Sequence, residues 1–459
     1  MKKQLFCGAS KREITPGEDI LPYMMGLGKA VFGMIQDKLY VRVIAFSNGE
    51  DQSLLVSFDL DKAPYPEENV RLLHERTGVP AENILFFAIH THTAPLTGYR
   101  PFEPSHDITK KSLKVQEAVR EYEAFLTSQM EEAAAEALEK LRPARLGYRY
   151  GSSYINVNRC QDYSVMEEDN STHTECSVGV NGAGPVDHTV FVMKIEDMAG
   201  NAIAFFINYA VHCVTMFLND IGNGMSAVSS DIGGNVSKYM EQRYVGSVAV
   251  WSSGAAGDIN PVLMTQTIYP DSVSGKPTGT CVKGLENSCL MLNAMAGRHF
   301  ADIIQIVKNI KCSVFEVEIG SAVEWSRTPA SEGILKNPEY RNKTPDGYHI
   351  RLHLVRIGDI ALMGINGELY TTLGQKIREV SPMKNTIIVS HECSLLPDNP
   401  GYILDDETIY RCQMSGGGKI PVNGFCGVPD TIASALKSHT KIMFERVLCG
   451  NCLIPDFQE

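Results

Sequence analysis

Short apolar runs rich in branched and aromatic residues alternate along this chain with longer stretches of helical spacing, and that alternation narrows the possible folds more than any other feature. The strand-like runs are LYVRVIAF, SLLVSFDL, ILFFAI, TVFVMKI, AIAFFINYAV, SVAVW, HIRLHLVRI, IALMGI and NTIIVSH, bounded by polar and turn residues as strands are. Helical spacing runs from Val115 through VQEAVREYEAFLTSQMEEAAAEALEKL and recurs over 287–307, 368–380 and 431–447. Interleaving of this kind predicts an α/β or α+β fold, mixed β-sheets flanked by helices. No repeat or clean linker interrupts it, so residues 1–459 are read as a single domain. The polar stretches 160–188 and 261–285 read as surface loops.

Composition excludes several classes of function. With 459 residues, 44% of them hydrophobic, the chain can bury a large core. A formal net charge of −12 and the lack of Lys/Arg clusters argue against nucleic acid or an anionic membrane as partner. No stretch reaches the ~18–20 apolar residues of a membrane span, so no integral membrane segment is expected. The first residues, MKKQLFCGASKREITPGEDI, hold too short an apolar run for a signal peptide. Twelve cysteines without framework spacing fit reduced thiols and a cytoplasmic location. Cys449 and Cys452 in CGNC have metal or redox spacing, but no second pair or nearby histidine completes a zinc set, and they are read as plain thiols. Oligomeric state is not written in this sequence.

The chemistry collects where strands end. ILFFAIHTHTAP stops at His90 and His92, which share one face if the chain stays extended. Both could ligate a metal, one could ligate while the other moves protons, or both could be structural. AIAFFINYAVHCVTM ends at His212, and strand ends are where open α/β sheets build sites. Cys213 points to the opposite face, which disfavours a Cys–His nucleophilic pair. In IALMGINGELYTTLGQKIREV the strand breaks and Glu368 opens a helical pattern, where a carboxylate either answers the helix dipole or binds a cation. Tyr402 follows the Pro-Gly turn of DNPGYILDDE. Two histidines, a carboxylate and a further oxygen make a plausible zinc set with a position left for water, although no compact HExxH signature is present.

Taken in order, GASKREITPG, HTHTAP, INVNR, NYAVHCVTM, SSDIGG, GAAGDINP, NGELYTTLGQKI and NPGY resemble the catalytic domain of the neutral/alkaline (non-lysosomal) ceramidases, zinc-dependent amide hydrolases. The resemblance runs from about residue 6 to about 410, and its specificity lies in the joint order of short motifs. It implies a Zn²⁺ cofactor held by His90, His212, Glu368 and Tyr402, with His92 as the proton-transfer residue and Arg159 beside the substrate. The expected reaction is hydrolysis of an amide (N-acyl) bond through a metal-activated water. His92 would take the water proton and return it to the leaving amine.

The departures shape the expected substrate. Asn260 stands where the ceramidase pattern has a serine after GD, and asparagine binds polar groups but cannot act as a nucleophile. Asp258 is read as shaping the GDINP turn. Thr93-Ala94 replaces Ser-Gly, and the tyrosine-rich segment is altered, which leaves Tyr410 to stabilise an oxyanion. The sequence stops short of the family's C-terminal immunoglobulin-like domain. These changes point to a soluble small-molecule amide or N-acyl compound rather than ceramide. The alternative is a catalytically silent zinc- or ligand-binding homologue, with Asn260 as its motive. An amidohydrolase barrel would need an eight-fold strand–helix alternation that is not seen, and metallo-β-lactamase sites need HxHxDH where this chain has Ala94 and Pro95.

Overall fold

In the strand Tyr40–Ser47, YVRVIAFS, Val41, Val43 and Ala45 face one core while Ile44 and Phe46 face another, so the strand is apolar at successive positions because both its faces are covered. The computed structural model describes residues 3–97, 108–329, 348–392, 401–414 and 431–449. Along the chain come β1 (Phe6–Glu13), β2 (Tyr40–Ser47), β3 (Gln52–Phe58), α1 (Pro66–Thr77), β4 (Ile84–Ala88), α2 (Leu113–Glu139) and β5 (Arg142–Ser152). Next are β6 (Asn156–Met166), β7 (Thr172–Asn181), β8 (Thr189–Asp197), β9 (Ala202–Tyr209), α3 (Asp231–Arg243), β10 (Val248–Ser253), β11 (Ile259–Pro261) and α4 (Leu285–Val307). Last come β12 (Ile319–Thr328), β13 (Tyr348–Ile357), β14 (Ile360–Ile365), β15 (Glu368–Leu369), α5 (Thr371–Val380), β16 (Asn385–Val389), β17 (Tyr402–Ile403), α6 (Asp406–Met414) and α7 (Ile432–Cys449).

The large sheet has the order β10-β9-β8-β5-β1-β2-β3-β4, antiparallel in its middle and parallel at its two ends, β9–β10 and β3–β4. A second sheet, β12-β13-β14-β16, packs on it through Leu55, Phe87, Val355, Leu362 and Val389. Helices cover the outer faces. Helix α2 lays Tyr122, Leu126 and Met130 on the first sheet, α3 and α4 bury Val236 and Met295 against its β8–β10 end, and α5 and α7 cover the second sheet with Leu373 and Phe444. The result is an α+β fold of mixed sheets with helical outer layers, as the alternation predicts. None of the described helices is long and apolar enough to cross a membrane.

Three local expectations are corrected. The stretch 160–188 is largely the β6–β7 hairpin, and 261–285 contains a second hairpin pairing Gln266–Pro270 with Pro277–Cys281. Ribbons with a solvated face keep polar residues and so resemble loops in sequence. Glu368 does not open a helix; it lies in the short strand β15, and α5 begins at Thr371.

The large sheet also curls. Ser57 Oγ on β3 donates to the Trp251 carbonyl on β10 at 3.5 Å, although those strands lie near opposite ends of the sheet order. Beyond the strand ends, Thr91 and Cys213 pair in an isolated parallel bridge. That closure brings the segment after β4 onto the segment after β9.

Candidate metal centre

β4 ends at Ala88, and at His90 the backbone turns into the left-handed region, φ 63°. His90 and His92 are therefore not on one face of an extended strand. They converge because the chain bends between them, a conformation that costs a side-chain-bearing residue energy and persists only when its surroundings impose it. Here the His92 amide donates to the Cys213 carbonyl at 3.2 Å and Thr91 Oγ1 donates to Ser229 O at 2.9 Å. On the other side the His212 amide donates to Ile259 O at 3.2 Å. The parallel register of β15 with β17 places Glu368 directly opposite Tyr402.

The imidazole nitrogens of His90, His92 and His212 that could bind an ion lie within 4.8 Å of one another. His90 Nδ1 sits 2.9 Å from the Asp61 carbonyl and 3.1 Å from Asp61 Oδ1. His212 Nδ1 sits 3.0 Å from the Ile259 carbonyl. Each Nδ1 thus donates its hydrogen to an oxygen, and in the neutral ring Nε2 is left with its lone pair. Those lone pairs meet a carboxylate and a third imidazole: His212 Nε2 is 2.9 Å from Glu368 Oε2, and His90 Nε2 is 3.5 Å from Glu368 Oε2 and 3.1 Å from His92 Nε2, while a cationic donor, Arg159 Nη2, stands 3.4 Å from His212 Nε2. Acceptors turned on acceptors in a buried site require a proton or a cation between them. This buried group could hold a metal.

Electrostatics agree with that reading. Burial alone would lower the His90 pKa, but the charges of Glu368 and Asp61 outweigh it and raise the pKa to about 10. The charges of Glu368 and Asp61 thus favour a proton on His90 when no cation is present. The carboxyl of Glu368, which burial would push up, is held well below its usual range by His90 and His212. Burial and the nearby Arg159 lower His212 to about 4. Burial, reinforced by charged His90, keeps His92 well below the usual histidine value.

Arg159 Nε and Nη2 donate to the Gly257 carbonyl at 3.1 and 2.7 Å, and Nη1 donates to Asn260 Oδ1 at 3.2 Å. Its guanidinium lies 5.1 Å from the centre of the Tyr402 ring, which stacks on His212 at 6.2 Å. Burial raises the Tyr402 hydroxyl pKa against the opposing pull of Arg159. Asp258 accepts from Asn158 Nδ2 and from the Thr371 amide and hydroxyl, each at 2.9 Å, so it ties the turn to the start of α5. The structure gathers His90, His92, His212, Glu368, Tyr402, Arg159 and Asn260. Tyr410 is not in that buried group; it is 44% exposed on α6. Cys449 is the last residue of α7, and Cys452 lies outside the described residues.

Two neighbours escaped the motif reading. Asp61 orients His90, and His391 stacks on it with ring centroids 3.8 Å apart. NTIIVSH is another strand-like run ending in histidine, the same signal that marks His90 and His212.

No family model matches the chain. It is 26% identical to neutral ceramidase B of Dictyostelium discoideum over 223 residues, which are 46% of this chain and 28% of that protein. Neutral ceramidase A of the same organism matches at 25% over 245 residues, 49% of this chain and 30% of that protein. The matched stretches thus span less than a third of either relative's length. Among solved structures, the neutral ceramidase from Pseudomonas aeruginosa superposes over 97% of this chain and 75% of that one, with a TM-score of 0.66 at 17% identity. A ceramidase complexed with C2 superposes over 97% and 76%, with a TM-score of 0.68 at 18% identity. At such identities the likeness is one of fold, and it extends over nearly the whole chain. Fold and sequence matches together support a neutral ceramidase-like domain.

Proposed function

We propose that this chain is a zinc-dependent hydrolase that cleaves an amide (N-acyl) bond, with His90, His212, Glu368 and Tyr402 holding the ion. The supporting observation is the inward convergence of His90 Nε2, His212 Nε2 and Glu368 Oε2, with both Nδ1 atoms held by oxygens. Two imidazoles and two oxygen ligands suit zinc. Bound there, zinc would polarise the amide carbonyl and acidify a water near neutral pH.

The chain's own residues supply the rest. His92 is the most open histidine of the group, its side chain 14% exposed, and it is held neutral, so it can accept a proton and return it to the departing amine. Arg159, fixed by Gly257 and Asn260, presents its charge beside Tyr402 to orient a polar group of the substrate. Asn260 Nδ2, 3.6 Å from Met264 Sδ, is available as a stronger donor to the substrate. An oxyanion role for Tyr410 requires it to act from the exposed side of α6, and Tyr410→Phe tests this through kcat.

The two matched ceramidases support an amide as the bond cleaved. Asn260 in place of serine supports a soluble N-acyl substrate over ceramide. The test is elemental analysis of purified protein, followed by hydrolysis of short N-acyl amines beside ceramide. About one zinc per chain and faster cleavage of the short amides is expected. Ceramide cleaved faster than every soluble amide would overturn the substrate assignment. Zinc without hydrolysis across a broad amide and ester panel would identify a silent binding homologue.

A further inference from the structure

His391 lies flat on His90, with an interplanar angle of 12°. Its backbone is in the left-handed region, φ 58°, which glycine adopts freely and histidine does not. Several contacts hold it there. The His391 amide donates to Gly367 O and its carbonyl accepts from the Ala88 amide, both at 3.4 Å. The next residue, Glu392, pairs with Phe87 in an isolated bridge, and its buried carboxylate accepts from Arg351 Nη1 at 2.6 Å and from His353 Nδ1 at 2.9 Å. Both sheets and a buried ion network therefore fix one strained residue whose ring rests on His90. Strain maintained this way marks positions where geometry serves a site.

The stacking also excludes one role. An ion on the Nε2 lone pair of His90 lies in the plane of that ring and so out of the nearly parallel plane of His391. The His391 nitrogens therefore do not point at it along their own lone pairs, and His391 is not a ligand of the same ion. Asp61 fixes the tautomer of His90 through Nδ1, but the contacts at Nδ1 and at Nε2 all lie along the ring edge and leave the ring able to tilt about the axis joining them. A flat partner on its face removes that freedom.

We propose that His391 is a positioning residue: its ring is the backstop that sets the plane of His90 and aims Nε2 into the metal site. The inference rests on reading His90 as a metal ligand. The test compares wild type, His391→Gly and His391→Phe by zinc affinity, measured in competition with a chelator, and by the visible spectrum of the cobalt(II)-loaded proteins. Glycine relieves the left-handed backbone but leaves the space of a buried ring, so unfolding of the metal-free proteins is measured alongside; zinc affinity should fall about 10–100-fold and the cobalt bands should shift. Phenylalanine keeps a flat face and should restore most of the affinity and the wild-type band positions. Wild-type affinity in His391→Gly would overturn the proposal and leave the metal site standing. Equal losses in the glycine and phenylalanine variants would overturn the stacking role. If wild type binds neither zinc nor cobalt, the metal reading itself fails and this inference falls with it.

Discussion

The chain buries two charged groups that differ in what they lack. Arg42 donates from Nη1 to both Asp59 oxygens, at 2.9 and 2.7 Å, and from Nε to Glu241 Oε1 at 2.9 Å, while Lys11 pairs with Glu241 Oε2 at 2.5 Å. Two cations meet two carboxylates, and each of these contacts sets a donor on an acceptor. Around His90, His92, His212 and Glu368, ring nitrogens and a carboxylate oxygen converge, and the buried Glu368 charge is met by the His90 proton and by Arg159, whose Nη2 lies 3.4 Å from His212 Nε2. An ion network that serves the fold cancels its charge internally. A cation site leaves a surplus of acceptors for the ion to fill.

The strongest way to break this contrast is His212→Ala. Zinc affinity should fall by more than the ~10–100-fold typical of losing a residue behind the ligands, and hydrolysis should disappear with the metal. Zinc retained at one per chain, measured by elemental analysis, would show that His212 is not a ligand. His92→Ala should keep its zinc and lose about 10²–10⁴-fold in kcat; loss of metal instead would make His92 a ligand. In the other cluster, Arg42→Met leaves Asp59 without a cation and Glu241 with Lys11 alone, and should cost about 3–5 kcal/mol in denaturant unfolding. The folded fraction should bind zinc as wild type does, and a zinc loss would show that the clusters are coupled.

The effect that is smallest near neutral pH concerns a buried histidine outside the candidate site. Trp251 Nε1 lies 3.4 Å from His299 Nε2, with Tyr209 tilted over the ring at 4.5 Å, and burial lowers the His299 pKa to about 3. Its folded pKa is below the unfolded value of about 6.5. The unfolded chain therefore binds the extra proton between about pH 6.5 and 3, and stability falls as pH drops through that window, by at most about 1.4 kcal/mol per pH unit. His299→Gln should flatten that part of the pH–stability profile. An unchanged slope would show that another group carries it.

Much of the site was legible because chemistry-bearing residues interrupt apolar runs: ILFFAI stops at His90, AIAFFINYAV at His212, and IALMGI shortly before Glu368. The polar hairpins at 160–188 and 261–285 were not legible, because a strand with a solvated face keeps a loop-like composition. His391 carried the same strand-end signal as His212, yet nothing local indicates which other strand end it meets. Asp61, two residues beyond Asp59, gives no sequence clue that it rather than Asp59 turns to His90.

Local sequence thus determined the apolar strands and most helices, the layered class and which residue types stand at the strand ends, because periodicity and side-chain chemistry are properties of neighbouring residues. Tertiary structure decided which ends meet. β4 and β9 lie far apart in the order of the large sheet, and only its curl, sealed by the Thr91–Cys213 bridge, brings His90 to His212. The left-handed turn at His90 converges two histidines that an extended strand would hold apart, and the β15–β17 register sets Glu368 against Tyr402. Each of these depends on contacts between residues distant in sequence, which local pattern does not encode.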